Sequence, residues 1–590
     1  MRTPEERFFT TSDGTSLFYR YWPPVGAPVK QAVIFFHRGH EHSGRLQHVV
    51  DEFDLPSIAM FAWDARGHGR SAIANPAVPN GTGPATMGIL VKDVDDFVHH
   101  ISQSLGIAIE DMAVVGQSVG SVLAATWVHD YAPRIRSMVL ASPAFSVKLY
   151  VPFARLALSL MHRIRGDFNV NSYVKPKALT HDPERIASYL ADPLIRRPIS
   201  VTILLALYST ADRIIEDAQA IQTPTQLLIS GADFVVHHQP QYVFFERLGT
   251  KEKEKHVFAG FYHDTLGEKE RGPAIAKARE FLLRYFSQSP VSTCLLDSDR
   301  VGYTKDEYDR LSRPLPPWSP RAVRFSLTRI GMKTGGRLSD GIRLGLETGF
   351  DSGSTLDYVY RNRPSGITPL GRLIDRSYLD AIGWRGIRIR KQNLERMLSR
   401  AISALRAAGR PVRIADIAAG HGRYVLEAIE SQADRADHIL LRDFSDLNVS
   451  EGAQLIRQKG LESIAEFQTG DAFDRASVAA IDPRPTLGVV SGLYELFPEN
   501  APIRRSLDGL ADAIEPGAYL IYTGQPWHPQ LETIARTLPS HRNRKPWVMR
   551  RRSQAELDQL VEAAGFRKLQ QLADDWGIFT VSLAQRVGTR

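Results

Sequence analysis

The sequence predicts two consecutive α/β domains, each built on an open sheet with helices on both faces. Three observations support this fold class. The chain has 590 residues, whereas one domain typically has ~100 to 200. Short apolar runs alternate with helical stretches from Gln31 to about Ser287, and a second alternation begins near Val412. Strands that alternate with helices are typical of parallel sheets covered on both faces.

The apolar runs predict the positions of the strands, and the domain boundary is predicted to lie between the two sets of runs. The first set is AVIFF, SIAMFAW, MAVVG, SMVLAS, QLLIS and KHVFAG, and the second is VRIADI, HILLRD, AEFQTGD, TLGVVS and AYLIYTG. Residues 288–320 contain four prolines near their end and are predicted to be a Pro-rich linker, because proline interrupts regular structure. The predicted domains are therefore residues 1–287 and 321–590.

Composition excludes several classes of protein. With 43% hydrophobic residues and a formal charge of +8, the chain is not predominantly disordered. Its single cysteine, Cys294, cannot form an intramolecular disulfide, which favours a reducing compartment. No export signal is visible, and the longest apolar run, near Val201 to Tyr208, is far shorter than the ~20 residues that span a bilayer. We therefore expect a cytoplasmic protein.

The basic residues form two clusters, but the net charge is too diffuse to indicate a nucleic-acid partner. We interpret both clusters as solvated faces, with peripheral contact to anionic lipid headgroups on the inner membrane face as the alternative. The clusters consist of Arg385, Arg388, Arg390 and Lys391, and of Arg542, Arg544, Lys545, Arg550, Arg551 and Arg552.

A serine nucleophile is predicted directly after a strand of the first domain. Gly116-Gln117-Ser118-Val119-Gly120 has the G-x-S-x-G pattern of a strained turn between a strand and a helix. A serine hydroxyl needs a base to take its proton and an acid to orient that base. Asp233 and His263 follow later strands in the required order, although a core or surface histidine is the alternative for His263. The amide of Val119 is a candidate oxyanion donor.

The motifs AVIFFHRGHEHSGR, FAWDARGHGRS, VVGQSVGS, ISGADFVV and GFYHD together resemble monoacylglycerol lipases and lysophospholipases of the α/β-hydrolase fold, over about residues 8 to 287. The resemblance implies Ser118 as nucleophile, Asp233 as acid and His263 as base. It also implies an oxyanion hole from the amides of Gly39 and Val119, a helical cap at about residues 144–223, and no cofactor. Expected substrates are longer-chain glycerolipid esters, either monoacylglycerols or lysophospholipids.

The oxyanion loop departs from the usual His-Gly-x-Gly of these lipases, since the chain has His37-Arg38-Gly39-His40. A metal site formed by His37, His40, His42 and Glu41 is an alternative interpretation. We disfavour it because no second ligand cluster of suitable spacing occurs, and we expect no metal.

The second domain carries a nucleotide-type pattern. Asp416, Ala418, Gly420 and Gly422 lie between a predicted strand and a helix, where small residues let the backbone approach a ligand. The next strand ends in Asp443, which is suited to a ribose diol. The third strand leads to Asp471, which could meet an adenine amine.

The segments ADIAAGHGR, LLRDFS, TGDAFD, VVSGLYEL and IEPGAYLIYTG together resemble class I S-adenosylmethionine-dependent methyltransferases over about residues 385 to 590. The resemblance implies a Rossmann-like fold with a sheet-edge hairpin from Lys568 to Leu583. It implies S-adenosylmethionine as the cofactor, and Ala418 stands where the first glycine is usual. The implied cofactor contacts are Asp416, Ala418, Gly420, Gly422, Asp443, Asp471 and Ser491.

The pairing of the two halves resembles a bacterial group of fused hydrolase and methyltransferase proteins. Nucleic-acid methylation is disfavoured because SGLYEL stands where an Asn-Pro-Pro-Tyr motif would be. We therefore expect a bifunctional enzyme of lipid metabolism, a serine esterase joined to a methyltransferase. One alternative is that the C-terminal half is a non-catalytic module that binds cofactor or lipid and regulates the esterase. Another is a hydrolase of peptides or other non-ester bonds. The sequence names neither the methyl acceptor nor the oligomeric state.

Overall fold

The computed structural model describes residues 2–26, 28–74, 86–172, 174–290, 292–430 and 436–588. The chain divides into two compact units, an N-terminal unit, Met1–Thr293, and a C-terminal unit, Cys294–Arg590. Separate hydrophobic clusters form the cores of the two units. No helix in these ranges is both long and apolar enough to cross a membrane.

The N-terminal unit alternates strands and helices as its apolar runs predict. Its strands are β1 (Glu5–Thr10), β2 (Ser16–Trp22), β3 (Ala32–Phe36), β4 (Ala59–Trp63), β5 (Met112–Gln117), β6 (Ser137–Ala141), β7 (Asn169–Asn171), β8 (Pro198–Ser200), β9 (Thr225–Ser230) and β10 (Lys253–Phe258). Its helices are α1 (Gln47–Phe53), α2 (Gly69–Ala74), α3 (Met87–Leu105), α4 (Val119–Tyr131), α5 (Ala154–Arg165), α6 (Pro183–Ala191), α7 (Val201–Glu216), α8 (His238–Arg247) and α9 (Gly272–Phe286).

The main sheet of this unit has the order β1-β2-β4-β3-β5-β6-β9-β10. From β4 to β10 neighbouring strands are parallel, and β1 and β2 add antiparallel pairs at one edge. Strands β3, β5 and β6 are buried along their whole length, as expected for strands with helices on both faces. The carboxyl ends of β3, β5, β9 and β10 therefore meet at one edge, where the candidate site lies.

The insertion expected at about residues 144–223 contains α5, α6 and α7, together with the short antiparallel pair β7 and β8. Helix α5 presents exposed apolar side chains at Leu156, Leu160 and Ile164, which are 70%, 59% and 79% exposed. Helix α7 is capped by Ser200 and buries Leu207 and Tyr208. One face of the insertion therefore packs against the rest of the N-terminal unit, and another face presents apolar side chains to solvent.

The C-terminal unit begins with a series of helices and continues as an α/β sheet. Its helices are α10 (Tyr303–Ser312), α11 (Pro320–Lys333), α12 (Asp340–Thr348), α13 (Gly353–Arg361), α14 (Pro369–Leu379), α15 (Ile382–Ala407), α16 (Arg423–Glu430), α17 (Asp446–Gln458), α18 (Arg475–Ala479), α19 (Asn500–Ala513), α20 (Leu531–Thr537) and α21 (Gln554–Ala563). Its strands are β11 (Arg413–Asp416), β12 (His438–Asp443), β13 (Ala465–Thr469), β14 (Leu487–Val490), β15 (Tyr519–Gly524), β16 (Phe566–Ala573) and β17 (Thr580–Arg586).

The sheet of the C-terminal unit has the order β13-β12-β11-β14-β15-β17-β16. Strands β11 to β15 are mutually parallel, and β17 is antiparallel to both β15 and β16. The β16–β17 hairpin lies at the sheet edge, as expected. The strand order reverses between β11 and β14, and ligands of open α/β sheets bind at such a point.

The linker prediction for residues 288–320 was wrong for much of that segment. Helix α10 lies within it, and its Leu311 is only 2% exposed and packs in the C-terminal unit. Pro320 starts α11 instead of breaking structure, because Ser319 caps this helix and proline is favoured in the first turn.

The prediction of solvated basic faces was also wrong for several arginines. Arg390, Arg550, Arg551 and Arg552 are at most 4% exposed. The Arg550 guanidinium donates to Glu556 at 2.7 Å, and Arg551 pairs with Glu307. Buried charges need such partners, and a run of basic residues does not itself show that these partners surround it.

Candidate active sites

Ser118 occupies a sharp turn between β5 and α4. Its φ is +55°, in the left-handed region that is costly for a residue with a side chain. Gly120 permits this turn, since a Cβ there would lie 2.2 Å from the carbonyl oxygen of Phe36 in the neighbouring strand. A Cβ on Gly116 would lie 2.7 Å from the carbonyl oxygen of Gly120. The local geometry is therefore that of a nucleophile elbow.

His263 and Asp233 come together with Ser118 at the carboxyl edge of the sheet. His263 Nε2 lies 2.8 Å from Ser118 Oγ, and His263 Nδ1 lies 2.8 Å from Asp233 Oδ2. Asp233 follows β9 and His263 follows β10, and both side chains are buried. Such a chain can activate a serine hydroxyl by passing its proton to the imidazole.

Asp233 is held as a carboxylate. Its Oδ1 accepts hydrogen bonds from the amides of Val235 and Val236 at 2.6 and 3.0 Å. Burial alone would raise the pKa of Asp233, but His263 and the two amides outweigh burial and hold that pKa below its usual value. A carboxylate at this position can hold a histidine in the tautomer that accepts a serine proton.

Gly39 and Val119 lie side by side near the serine. A Cβ on Gly39 would contact Val119 Cγ2 at 3.3 Å. Within the described part of the chain, neither backbone amide donates a hydrogen bond. Two free N–H groups beside a nucleophile can stabilise the oxyanion formed in acyl transfer.

A cavity of about 350 Å³ opens onto Ser118 and His263. Its wall comes from the oxyanion loop and, for the greater part, from the insertion. Most of the insertion side chains that line it are apolar, as a site for an aliphatic chain requires. They include Leu149, Val151, Ala154, Leu158, Val170, Leu179, Ile199, Leu204 and Leu207.

The sequence analysis missed a buried ionic network beside this cavity. Asp264 accepts hydrogen bonds from Arg185 of α6 at 2.9 and 3.1 Å, and from Gln117 at 2.6 Å. Arg38 lies 3.5 Å from Asp264 and forms two hydrogen bonds with Glu41. Burial opposes ionisation of Asp264, but Arg185 and Arg38 hold the pKa of that carboxyl far below its usual range. No local motif signals a pair 79 residues apart.

The histidines of the alternative metal interpretation have separate partners. His37 Nε2 accepts from the Ala65 amide at 3.0 Å, His40 Nδ1 lies 2.8 Å from the carbonyl oxygen of Arg196, and His42 Nε2 lies 2.9 Å from Asp192. Among the residues that the structure describes, no group of three His, Cys, Asp or Glu side chains is placed to hold a metal ion.

In the C-terminal unit, the predicted glycine turn connects β11 to α16. Asp416 ends β11, where it accepts hydrogen bonds from Tyr424 Oη and, at 3.2 Å, from the Ala418 amide. Burial raises the pKa of Asp416 to about 7. Gly422 has φ +73°, and a Cβ there would lie 2.3 Å from Leu441 Cδ1. The turn therefore packs closely against β12.

Asp443 at the end of β12 contacts this turn. One of its carboxylate oxygens accepts from the Gly420 amide at 3.0 Å, and the other accepts from the Ser445 amide and from Asn448 Nδ2, both at 2.9 Å. The structure thus brings Asp416, Ala418, Gly420, Gly422 and Asp443 together. Two further predicted contacts, Asp471 after β13 and Ser491 after β14, follow strands of the same edge, and among the described residues neither side chain forms a hydrogen bond with this group.

Three buried polar atoms at this edge have no hydrogen-bond partner among the described residues, namely Ser491 Oγ, Gln525 Nε2 and Arg390 Nε. A Cβ on Gly492 would lie 3.0 Å from Arg390 Nη2, which places Arg390 beside the loop after β14. Sequence reasoning identified Ser491 but missed Gln525, and it assigned Arg390 to a solvated face. Unpaired buried polar groups at one edge are typical of a ligand site.

Comparisons with known proteins found family matches for both units of the chain. Residues 278–586 match the family model described as "Putative methyltransferase", and residues 27–270 match the model described as "Serine aminopeptidase, S33". "Uncharacterized protein YnbC" of Escherichia coli (strain K12) is 54% identical over 585 residues, or 99% of each chain. The monoacylglycerol lipase of Mycolicibacterium smegmatis is 25% identical over 46% of this chain and 93% of its own.

Human monoglyceride lipase is 25% identical over 43% of this chain and 81% of its own. The crystal structure of Paleococcus ferrophilus monoacylglycerol lipase covers 48% of this chain and 99% of its own, with 22% identity and a TM-score of 0.40.

The fold and the matches define a chain that joins an α/β-hydrolase domain to a methyltransferase-type domain. It belongs to the family described as "Putative methyltransferase", whose model spans more than half of its length, and YnbC is a relative over its whole length. The two-domain fold class and both family resemblances predicted from the sequence are confirmed.

Proposed function

We propose that the N-terminal unit is a serine esterase that cleaves carboxylic esters of glycerolipids. The observation that carries this proposal is the continuous chain from Ser118 through His263 to Asp233, with 2.8 Å at each step, in which Ser118 and His263 line an apolar cavity. The chemistry needs a nucleophile, a base and an oriented acid in contact, and these three side chains supply them.

In the proposed reaction, Ser118 Oγ attacks the ester carbonyl carbon and its proton passes to His263 Nε2. The amides of Gly39 and Val119 donate to the oxyanion. The carbon–oxygen bond of the ester breaks, and the alcohol leaves with the proton from His263. A water molecule then gives a proton to His263 and attacks the acyl-enzyme, which releases a carboxylic acid and restores Ser118. Asp233 remains ionised and stabilises the imidazolium form of His263.

Two observations support a long-chain acyl substrate. The cavity wall is mainly aliphatic, and burial of each CH₂ group contributes about 0.8 kcal/mol. The M. smegmatis and human relatives are named as lipases of monoacylglycerol and monoglyceride. A peptide or other non-ester substrate would use the same three side chains, so a panel of monooleoylglycerol, short-chain esters and aminoacyl amides tests this assignment. Faster cleavage of the amides would contradict it.

We propose in addition that the C-terminal unit binds S-adenosylmethionine at the carboxyl edge of its sheet. The residues fit this group, since Asp443 has acceptor capacity for a ribose diol beside a tight glycine turn, and the buried Ser491 hydroxyl lacks a partner among the described residues. Asp471 would accept from the adenine amine, and the backbone of Ala418, Gly420 and Gly422 would approach the ligand. When bound, the cofactor supplies an electrophilic methyl group.

The Asp443→Ala substitution should weaken binding of S-adenosylmethionine by about 10- to 100-fold, because hydrogen bonds to a charged group each contribute about 1.5 to 3 kcal/mol. Calorimetric titration of the purified protein measures this change. Asp512→Ala is the matched control, because Asp512 is an exposed carboxylate on α19 that pairs with Arg475. If the unmodified protein bound no cofactor, the binding proposal would fail.

Two experiments with the cofactor distinguish methyl transfer by the C-terminal unit from regulation by it. The methyltransferase proposal requires a methylated product from the holoprotein with radiolabelled cofactor and a lipid extract. If cofactor binding changed the rate of ester hydrolysis and no methylated product formed, the C-terminal unit would be a regulatory module. Ala418, in place of the usual first glycine, is the feature that motivates this alternative.

We also propose that helix α11 contacts an anionic lipid surface. Val323, Leu327 and Ile330 recur at helical spacing on one face and are 44%, 64% and 57% exposed. The opposite face buries Phe325. The sequence from 320 to 333 has four basic residues and no Asp or Glu. An exposed apolar stripe with basic flanks is typical of helices that lie in the interface of a charged membrane.

The double substitution Leu327→Ser and Ile330→Ser should reduce co-sedimentation with phosphatidylglycerol-containing vesicles at least fivefold, because it removes the apolar part of the contact. Arg324→Glu should weaken binding through the charge term, by about 1 kcal/mol or more at low salt. Arg505→Glu, on the exposed side of α19, has the same change of charge and should bind like the unmodified protein. Equal binding to purely zwitterionic vesicles would contradict the proposed role of charge.

A further inference from the structure

Arg38 introduces a charged group into the wall of the acyl cavity, where the related lipases usually have glycine. Its side chain is only 4% exposed and lines the same cavity as Ser118 and His263. Glu41 accepts from Arg38 Nε at 3.0 Å and from Nη2 at 2.5 Å. Arg38 Nη1 has no hydrogen-bond partner among the described residues. A buried guanidinium with a free N–H group is costly unless a ligand accepts that bond.

The surrounding charged side chains hold Arg38 in place but leave one of its hydrogen-bond donors unused. Glu41 and Asp264 balance the charges of Arg38 and Arg185, and Arg185 is itself held by two hydrogen bonds to Asp264. These contacts hold the planar guanidinium in one orientation. Its unused Nη1 donor is therefore fixed before substrate arrives, and a preorganised donor loses little entropy on binding.

A second arginine, the exposed Arg197, lies beside residues that line the cavity. The Arg197 guanidinium donates to the carbonyl oxygens of Ser172 and Val174, both at 3.2 Å, and both residues line the cavity. Burial, together with nearby positive charges that include Arg197, lowers the pKa of the cavity-lining His40 to about 4. Across the part of the chain that the structure describes, Arg197 pairs with no carboxylate. An exposed positive charge without a described carboxylate partner therefore lies next to Ser172 and Val174 on this side of the cavity.

We propose that Arg38, assisted by Arg197, binds a phosphate group on the alcohol half of the ester, so that the preferred substrate is an acylated glycerol phosphate and not a neutral monoacylglycerol. This inference rests on the proposed esterase function and specifies its substrate class. The apolar wall accounts for the acyl chain, and the arginines account for the opposite, charged end of the same molecule. A phosphate suits them because its oxygens can accept from two guanidinium groups at once, and charge-assisted bonds of this kind are strong.

The test compares two esters with the same acyl chain, 1-oleoylglycerol 3-phosphate and 1-oleoylglycerol, by their kcat/KM values. The unmodified protein should prefer the phosphate ester at least tenfold. Arg38→Gln should lower that preference at least tenfold, mainly through KM for the phosphate ester. The ratio is informative because partial unfolding lowers both rates by the same factor. A third ester, 1-oleoylglycerate, separates phosphate from carboxylate recognition, and a preference for it would overturn the phosphate assignment.

The controls separate misfolding from loss of recognition. Arg38→Gln leaves Glu41 with fewer partners, so the double variant Arg38→Gln, Glu41→Gln removes the pair together and should show the same loss of preference. Fluorophosphonate labelling of Ser118 reports whether each variant keeps a competent nucleophile. Arg247→Gln, at an exposed arginine on α8, should keep the original ratio.

An unmodified protein with no preference, or a labelling-competent Arg38 variant that retains the preference, would overturn the inference while the esterase function stands. If the unmodified protein hydrolysed neither oleoyl ester, the esterase proposal would fail, and the substrate inference with it.

Discussion

Replacement of Ser118 by alanine should reduce ester hydrolysis by about 10⁴- to 10⁶-fold, the largest activity loss expected for this chain. The reason is that in the proposed mechanism His263 and Asp233 act through the Ser118 hydroxyl, and His263 Nε2 lies 2.8 Å from Ser118 Oγ. Without that oxygen no acyl-enzyme forms, and only binding and the oxyanion donors remain. The measurement is hydrolysis of monooleoylglycerol and its 3-phosphate, together with labelling by a fluorophosphonate probe.

Ser104→Ala is the matched control, because Ser104 lies exposed near the end of α3 and its hydroxyl donates to the carbonyl oxygen of His100 on its own helix. This variant should hydrolyse and label at the original rates. Labelling that persisted in Ser118→Ala would remove Ser118 from the nucleophile role. Retained hydrolysis with lost labelling would show that a different group, in this unit or elsewhere, performs the cleavage.

Gly120→Ala should destabilise the N-terminal unit by about 3 kcal/mol or more, at the upper end of the usual range for overpacking. The added Cβ would lie 2.2 Å from the carbonyl oxygen of Phe36, and β3 is a buried central strand that cannot move aside. We expect the thermal transition of this unit to fall by roughly 6 to 12 °C. Hydrolysis should fall as well, because the same turn positions Ser118.

Gly272→Ala tests whether the effect depends on the space at Gly120. Gly272 begins α9, has no neighbouring atom within 4 Å of a built Cβ, and does not have a positive φ. Alanine there should lower the transition far less than alanine at Gly120, because the added Cβ meets no packed neighbour and the remaining cost is the milder restriction that Pro273 places on the residue before it. If both variants melted like the original protein, β3 and α4 would not pack as closely as described.

Both candidate sites were predicted where a residue type follows a strand at a fixed place in the chain. Ser118, Asp233 and His263 each come just after an apolar run, and parallel strands bring their carboxyl ends to one edge. The same reasoning found Asp416, Asp443 and the glycine turn. Local sequence therefore predicts which side chains lie at the same edge of the sheet. The prediction needs one piece of long-range information, namely that the strands are parallel neighbours in one sheet.

The features that sequence reasoning missed depend on tertiary contacts, most of them between residues that are far apart in the sequence. Arg550 looks like part of a solvated basic run until Glu556 and Asn500 are seen around it. The pair of Arg185 with Asp264 joins the insertion to the loop after β10, and neither residue stands in a motif. Helix α10 was hidden by nearby prolines, which lie outside its ends. Burial of polar groups is a property of tertiary packing, so periodicity cannot reveal it.

The division of one polypeptide into two compact units has a consequence for the cell that makes it. Each translated chain delivers one copy of the hydrolase unit and one copy of the methyltransferase-type unit. The two units are therefore made in a fixed ratio of one to one, because one open reading frame encodes both. Changes in transcription or in message stability alter the amounts of both units by the same factor. Any adjustment of one unit's contribution against the other's has to act on the finished protein, through ligands or localisation, because gene dosage cannot provide it.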